Sequence, residues 1–415
     1  MDFALSPRAA ELSDRLNAFM DSHVYPAEAV YAEQMEASGD PSFHPQIVED
    51  LKAEARSQGL WNLFLPSEEW GAGLSVLDYA PLAEITGRSP HLAPEALNCA
   101  APDTGNMEIL EMFGTPQQHE RWLRPLLDGE IRSAFSMTEP DVASSDARNI
   151  RTQIRPDGDD YVISGNKWWS SGAFSPRCKV TIVMGVTNPD ANPYQQQSMV
   201  LVPLDTPGVT VERDLTVFGY RDRGGHPMIR FDEVRVPKTN LLGDEGSGFA
   251  IAQARLGPGR IHHCMRALGM AERAFDMMCS RAKARETFGS PIAEHGVVQD
   301  WIAEARIQIE QARLLVLKTA WLIDTVGVKG ARIEISAIKV AVPRLAVWVV
   351  DRAMQTFGAG GLSGDYPLAG FYGHLRTLMI ADGPDEVHKR SVARRELGRY
   401  EPGFAPESYP YQPWS

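Results

Sequence analysis

The chain has 415 residues, of which 43% are hydrophobic and 23% are charged, and its formal net charge is −13. A chain of this length exceeds what one ordinary hydrophobic core supports, so two or three packed units are expected. The acidic balance argues against nucleic acid and against an anionic membrane as partners.

The cysteines and the first residues indicate a protein with reduced thiols and without a signal peptide. No Cys-x-x-Cys spacing occurs among Cys99, Cys178, Cys264 and Cys279. Buried reduced thiols are therefore expected, with no disulfide framework and no metal site. The first residues lack a basic segment followed by an apolar run, so no signal peptide is expected. No apolar stretch approaches ~20 residues, so we expect no membrane insertion and a cytoplasmic location.

Residues 1–133 are predicted to form a helical N-terminal domain. The segments from Ser6 to His23 and from Pro45 to Gln58 carry apolar residues at helical spacing. Glycine and proline residues punctuate the remainder of this region, which is typical of turns between helices. The spacing of apolar residues changes after residue 133.

Residues 134–243 change to a period of two, which is typical of strands. A turn signal at residues 156–159 precedes the first β-rich run. The runs are Tyr161–Gly165, Val180–Met184, Ser198–Val202 and Met228–Phe231. Their spacing between Gly, Pro, Asn and Asp turns predicts a small antiparallel barrel or sandwich as the central β domain.

Residues 244–402 return to long helical patterns. One apolar stripe runs from Leu268 to Met278 and another from Ile302 to Ala320. Amphipathic helices of this length bury such stripes in a four-helix bundle, the predicted C-terminal domain. Residues 403–415 are rich in Pro and Tyr and are expected to form an extended arm. The predicted fold class is therefore α+β with several domains.

Two segments of the β region carry side chains that suit a flat heteroaromatic ring. Residues 135–140 read Phe-Ser-Met-Thr-Glu-Pro, and residues 166–172 read Asn-Lys-Trp-Trp-Ser-Ser-Gly. Indoles stack on such a ring, while hydroxyls and backbone N–H groups meet its polar edges. Taken alone, the two segments are more often a barrel core with two tryptophans and a loop.

The order of further segments carries a family resemblance. These segments are Phe231–Pro237, Leu241–Gly246, Arg285–Gly289, Gln355–Gly361 and Ala381–Pro384. Together with the two segments above, they resemble the acyl-CoA dehydrogenase family from about residue 10 to 400. Each motif alone is weak, whereas their joint order is specific. The sequences Asp382–Glu386 and Trp168–Gly172 are similar to the subgroup whose animal members carry a fused kinase-like domain, which is not expected here.

The resemblance implies a helical N-terminal domain, a central β-barrel domain and a C-terminal four-helix bundle, with FAD between the last two. Contacts to the flavin ring are implied for Phe135, Met137, Thr138, Trp169 and Ser171, and further flavin contacts for Pro384 and Glu386. Contacts to the FAD of a neighbouring subunit are implied for Arg285, Thr287 and Phe288. Contacts to the adenine–diphosphate half are implied for Gln355 and Gly358. A shared site of this kind implies a homo-oligomer, usually a tetramer in this family.

Oxidation of a thioester at Cα–Cβ requires removal of an α-proton and acceptance of a β-hydride, which flavin takes at N5. The resemblance puts the base at Asp382, where most members have Glu. Some relatives carry the base on a bundle helix, but the matching residue here is Gly259, which cannot serve. Without the family, Asp382 is a turn residue beside Gly383, and Glu386 is the alternative base. Substrate contacts are implied for Ser144, Arg260 and Gly383.

The implied activity is FAD-dependent dehydrogenation of an acyl-CoA to the trans-2-enoyl-CoA, as in fatty acid β-oxidation. An electron-transferring flavoprotein is the implied acceptor. Other interpretations stay open. A nitroalkane oxidase-like flavoenzyme shares the fold and uses an Asp as its base, and acyl-CoA oxidases use flavin but are usually longer chains. A few relatives bind DNA, against which the net charge argues, and a non-catalytic scaffold of the same fold is the remaining alternative.

Overall fold

Helices, a sheet and then long helices follow one another in a computed structural model that describes residues 4–221 and 224–400. The predicted arm, residues 403–415, lies outside the described residues. The first strand of the sheet begins at Arg132, and the first long helix of the last region begins at Gly248. The predicted order of helical, β and helical regions is therefore confirmed.

The N-terminal region consists of short amphipathic helices that bury one face each. Local chemistry starts several of them. The Ser6 side chain accepts a hydrogen bond from the Ala9 N–H, and Thr115 and Gln118 form a capping box. Single π-helical turns, Met20–Val24 and His119–Leu123, join neighbouring helices. The helices are α1 Pro7–Phe19, α2 Tyr25–Ser38, α3 Gln46–Ser57, α4 Val76–Gly87, α5 Ala93–Ala96, α6 Asp103–Phe113, α7 Pro116–Gln118 and α8 Arg124–Leu127.

Eight strands of the described residues form one sheet. They are β1 Arg132–Ser136, β2 Gln153–Asp157, β3 Asp160–Lys167, β4 Cys178–Val186, β5 Gln197–Pro203, β6 Val209–Arg213, β7 Met228–Pro237 and β8 Leu241–Leu242. Their order is β6-β7-β3-β2-β4-β5-β8, with β1 paired to β4. The predicted turn closes the β2–β3 hairpin, where Asp157 pairs with Asp160. Both β1 and β2 run parallel to β4, a pairing that the alternating pattern did not predict.

Strand β4 lies between two cores. Val180, Ile182 and Met184 pack into the large core that includes the helices, whereas Val183 joins a second core on the other face of the sheet. This division follows from the geometry of a strand, in which successive side chains point to opposite faces. Burial on both faces explains why the sequence of β4 is a nearly continuous apolar run.

The C-terminal region is built on three long helices and two shorter ones. They are α9 Gly248–Ala284, α10 Gly296–Gly330, α11 Arg332–Phe357, α12 Leu368–Leu378 and α13 Asp385–Leu397. A two-stranded hairpin, β9 Glu286–Thr287 and β10 Ser290–Pro291, links α9 to α10. Both predicted apolar stripes are confirmed, since Leu268 and Met278 of α9 and Ala305 and Ala320 of α10 are buried. None of the described helices combines the length and the apolar character that a bilayer span requires.

Helix α4 crosses α9 at close range and so docks the N-terminal region on the bundle. Glycine lies on both sides of the crossing. A Cβ atom on Gly87 would overlap the backbone of Arg266, and one on Gly269 would overlap the Glu84 carbonyl oxygen. The two backbones therefore approach as closely as they do because neither position has a side chain.

Substituting Gly269 with Ala is expected to destabilise the protein. The added methyl group overlaps backbone atoms of α4, which cannot rotate away, so the helices must separate at a cost of about 1–3 kcal/mol or more. Gly296→Ala is the matched control, because nothing lies within 4 Å of a Cβ at that position. Thermal unfolding should show a lower midpoint for Gly269→Ala alone; equal midpoints for the two variants would contradict the close crossing.

Candidate active site

A large cavity opens where the N-terminal helices, the sheet and the bundle meet. Its volume is about 1630 Å³. One wall comes from Phe135 near the end of β1 and from the chain that follows β1 and β3, including Met137 and Trp169. Another comes from α9 and from the loop between α12 and α13, which carries Asp382. Residues far apart in the sequence therefore face one another across a single space.

The wall formed by the sheet is aromatic with polar edges. Trp169 has a positive φ of 53°, and its indole is 38% exposed. Its ring centroid lies 5.3 Å from that of His226, whose Nδ1 is 2.8 Å from the Ser171 Oγ. The Trp168 Nε1 is buried, with no hydrogen-bond acceptor among the described residues. This wall offers an exposed indole face and an unused donor, which are the groups that a flat polar ring requires.

A buried ion pair holds this wall in place. The Lys167 Nζ lies 2.8 Å from the Glu139 Oε1 and donates to the Met137 carbonyl at 2.9 Å. Burial lowers the pKa of Lys167 to about 8. The Glu139 carboxylate also accepts the backbone N–H groups of Arg151 and Thr152 at 2.8 and 2.9 Å. The chain after β1 is thus tied to the end of β3 and to the start of β2.

Asp382 lies in the short loop between α12 and α13, in the left-handed region at φ 56°. Its carbonyl oxygen accepts a hydrogen bond from the Arg260 Nε at 3.0 Å and lies 3.2 Å from the His388 Nε2. Its carboxylate points towards α9, where the Oδ2 is 3.5 Å from the His263 Nε2. A Cβ on Gly259 would lie 3.7 Å from the same oxygen, so the glycine leaves room for the carboxylate.

The electrostatics of the loop keep Asp382 ionised. Burial acts to raise the pKa of Asp382, but the contact with His263 and the positive charges of Arg255, Arg260 and Lys339 outweigh burial and hold the pKa below its usual range. Burial also lowers the pKa of His263 to about 3, so its ring is neutral near pH 7. The imidazole nitrogen that faces the carboxylate must then carry the proton for the contact to be attractive.

The sequence analysis missed two residues of this wall, Arg255 and His263. The Arg255 guanidinium lies 4.1 Å above the Phe135 ring, and its Nε donates to the Asn106 side chain at 2.9 Å. His263 follows Arg260 by three residues, which puts both on one face of α9. Helical spacing from Arg260 is the signal in the sequence that would have identified His263.

The structure divides the predicted site residues into two sets. Those that line the cavity are Phe135, Met137, Thr138, Ser144, Trp169, Ser171, Arg260, Asp382, Gly383 and Pro384. Those that do not line it are Arg285, Thr287, Phe288, Gln355, Gly358 and Glu386. Of the second set, Glu386 is exposed at the start of α13, and the others lie near the adjacent ends of α9 and α11. The Arg281 guanidinium, 5.2 Å above the Phe357 ring, joins those two ends.

Comparison with known families covers nearly the whole chain. Three family models match in succession. Residues 6–130 match the acyl-CoA dehydrogenase N-terminal domain, residues 134–234 the middle domain and residues 246–397 the C-terminal domain. The chain belongs to the acyl-CoA dehydrogenase family. It is therefore an enzyme of a flavoprotein family with a helical N-terminal domain, a middle β domain and a C-terminal helical domain, as predicted.

Individual relatives agree with this assignment. Probable acyl-CoA dehydrogenase FadE2 of Mycobacterium tuberculosis is 63% identical over 98% of this chain and 99% of its own length. Acyl-CoA dehydrogenase family member 11 of Gallus gallus is 54% identical over 95% of this chain, which spans 51% of that protein. A solved structure described as a candidate acyl-CoA dehydrogenase from Mycobacterium abscessus is 52% identical, with a TM-score of 0.93, and covers 96% of this chain and 100% of its own.

Substitution of Lys167 tests whether its ion pair with Glu139 holds the aromatic wall in place. Lys167→Met keeps the apolar stem but leaves the buried Glu139 carboxylate without its cation, so a loss of about 3–5 kcal/mol is expected. The double variant Lys167→Met/Glu139→Gln should recover part of that loss, because the charge is gone.

Lys179→Met is the control, since this lysine is exposed on β4. Calorimetric unfolding should place the single variant lowest, the double variant next and the control with the wild type. A Lys167→Met midpoint equal to that of the control would show that the pair does not hold the wall.

Proposed function

We propose that this chain catalyses the FAD-dependent α,β-dehydrogenation of an acyl-CoA thioester to the trans-2-enoyl-CoA. The observation that carries the proposal is the juxtaposition across one cavity of the ionised Asp382 carboxylate and the aromatic wall around Trp169. A base on one side of a substrate and a flat hydride acceptor on the other is the arrangement that removal of two vicinal hydrogens requires.

The residues of the aromatic wall fit a flavin. The exposed face of Trp169 offers a stacking surface, and the buried Trp168 Nε1 needs an acceptor that the described residues do not provide. The residues proposed to hold the ring are Phe135, Met137, Thr138, Trp169, Ser171 and Pro384. When bound there, FAD supplies the acceptor for the β-hydride at its N5.

Asp382 is the proposed base. It is ionised near neutral pH, and entry of an acyl chain displaces water around it, which raises its affinity for a proton. The α C–H bond breaks and its proton passes to the Asp382 carboxylate. The Asp382 backbone N–H is proposed to polarise the thioester carbonyl, which makes the α-proton more acidic. Proposed contacts to the bound thioester come from Ser144, Arg260 and Gly383, which line the same cavity.

The mouth of the cavity supports binding of the CoA portion. Arg148, Arg390 and Arg394 line it, and all three side chains are exposed. Exposed arginine donors at the edge of a cavity suit phosphate groups, which carry the negative charge of CoA. The net negative charge of the chain as a whole therefore does not oppose an anionic substrate.

The second set of predicted residues supports a site shared between subunits. Arg285, Gln355 and Gly358 are exposed, and the Phe288 side chain is fully exposed at φ 51° on the β9–β10 hairpin. We propose that these groups, with Thr287, meet FAD bound by a neighbouring copy in a homo-oligomer, a tetramer as is usual in the family. An electron-transferring flavoprotein is the proposed acceptor of the electrons, in keeping with family membership.

Anaerobic mixing with substrate decides between the proposed function and its closest alternative. A panel of acyl-CoA thioesters should bleach the flavin absorbance of the purified protein, whereas nitroethane should not. Bleaching by nitroethane alone would move the assignment to a nitroalkane oxidase-like reaction. A colourless protein that takes up no FAD on reconstitution would indicate a non-catalytic scaffold.

Asp382→Asn is expected to slow the same bleaching by several orders of magnitude, because the amide keeps the shape of the side chain but cannot accept the proton. FAD content and acyl-CoA binding should persist. Asp382→Glu should be milder, since it restores the base found in most members. Rapid-mixing spectroscopy measures the rates. Near wild-type reduction by the Asn variant would place the base elsewhere, with Glu386→Gln as the next variant to measure.

Arg285→Ala should lose FAD and weaken assembly together, because the proposed contact of this exposed side chain crosses a subunit interface. Lys283→Ala is the control, since Lys283 is exposed two residues earlier at the end of α9. Sedimentation velocity, with absorbance read at a protein and at a flavin wavelength, reports both effects in one experiment. A monomeric Arg285→Ala protein with full FAD content and full activity would contradict the shared site.

A further inference from the structure

The contacts that hold the Asp382 loop are made to backbone atoms. They do not orient the Asp382 carboxylate. Arg260 and His388 both contact the Asp382 carbonyl oxygen. Lys339, on α11, donates to the Leu378 carbonyl at the end of α12. These contacts fix where residue 382 lies, but none of them reaches its carboxylate oxygens.

The charged and titratable groups that influence Asp382 come from three helices. They are Arg255, Arg260, His263 and the Cys264 thiol on α9, Lys339 on α11 and His388 on α13. The donors of Arg255 are directed to Asn106 and to the Pro102 carbonyl, and the Arg260 Nε is directed to the Asp382 carbonyl. Among the described residues, the side chain found beside the carboxylate is His263, whose Nε2 lies 3.5 Å from the Asp382 Oδ2.

We propose that His263 is a positioning residue that orients the Asp382 carboxylate for proton transfer. The inference rests on the proposed function, in which Asp382 is the base. A neutral imidazole that donates from Nε2 to Oδ2 leaves the Oδ1 directed away from α9 and available for the α-proton. In the step itself, the α C–H bond breaks, its proton passes to Asp382, and His263 keeps its own proton.

The proposed base needs such a partner because it is an Asp. An aspartate carboxylate stands one methylene closer to the backbone than a glutamate carboxylate, and an error of about 1 Å in the position of a base costs ~100-fold in rate. Gly259 leaves the helix surface beside Oδ2 open, and His263, one turn further along α9, supplies the contact there. The proposed hydrogen bond would also favour the charged form of the carboxylate over the neutral acid.

The neighbouring histidine provides a matched control. His262 is buried on another face of α9, with its ring centroid 5.0 Å from that of Tyr79 and 6.5 Å from that of Phe64. A substitution there perturbs the same turn of the same helix without touching Asp382. His262→Gln therefore reports what a change of packing alone does to the enzyme.

The experiment compares His263→Leu, His263→Gln and His262→Gln in the holoenzyme. The rate of anaerobic flavin reduction by an acyl-CoA is measured against pH, and binding is measured separately with an unreactive acyl-CoA thioether. Reduction requires ionised Asp382, so the rate rises with pH through its pKa. Loss of the donor in His263→Leu should move that midpoint upwards by about 1 pH unit or more. His263→Gln, which keeps an N–H donor, should restore most of the wild-type profile.

Flavin content and thioether binding should be unchanged in all three variants. A wild-type pH profile for His263→Leu would overturn the inference, as would an equal shift in His262→Gln or a failure of His263→Gln to restore the profile. Should His263→Leu not fold, His263→Asn replaces it, because its amide is too short to reach the carboxylate.

Infrared titration of the carboxylate, identified by subtraction of Asp382→Asn, follows the same pKa without turnover. This measurement separates the inference from the proposed function, since an unshifted pKa in His263→Leu refutes the role of His263 whether or not acyl-CoA bleaches the flavin. Conversely, a shifted pKa in a protein that no acyl-CoA bleaches would support the contact and refute the reaction.

Discussion

A carboxylate on the wall of a largely buried cavity is the constraint on which the rest of the site depends. Burial favours the neutral acid, whereas proton abstraction needs the ionised form. The bundle resolves this conflict with positive charge from two helices, since Arg255 and Arg260 on α9 and Lys339 on α11 all act on Asp382. Lys339 also donates to the Leu378 carbonyl, so the cation that stabilises the carboxylate also holds the loop that carries it.

Buried ion pairs occur within the middle region and where it joins the N-terminal region. Lys167 and Glu139 tie the strands of the aromatic wall together. Arg132, at the start of β1, contacts Glu95 and, at 3.1 Å, Asp103 in the N-terminal region. Such pairs stabilise little compared with apolar residues of the same volume, but removing one partner leaves an uncompensated charge. Arrangements that separate the partners of these pairs are therefore disfavoured, which fixes the positions of the cavity walls.

One chain keeps the proposed proton acceptor and most of the proposed ring contacts in a single cavity. The remaining residues proposed to contact a cofactor lie elsewhere. Glu386 is exposed on α13, and the others lie near the far ends of α9 and α11, where Phe288 is fully exposed and Leu362 is 65% exposed. Exposed apolar side chains of this kind are a surface that an oligomer would cover. In the proposed function, proton transfer therefore takes place in the cavity of each subunit, and the contacts to a neighbouring subunit's FAD lie on its surface.

The amino-acid sequence alone predicted the order of the helical, β and helical regions, because apolar periods of 3.6 and 2 are local properties. It also singled out Asp382, Trp169 and Arg260, which line one cavity, because motif order reports family membership even when each motif is weak. It did not predict the parallel pairing of β1 and β2 with β4, or the Lys167–Glu139 pair, whose partners are 28 residues apart. Nor did it identify His263, although this residue is only three positions from Arg260.

Tertiary structure decided these features because each depends on which backbone approaches which. The position of Asp382 against α9 follows from a loop between two other helices, and the space at Gly259 has meaning only once that loop lies beside it. Charge compensation is likewise a sum over groups that only folding brings together. The residues proposed to perform the chemistry were therefore evident in the sequence, whereas their mutual distances and ionisation states were set by the packing of the bundle.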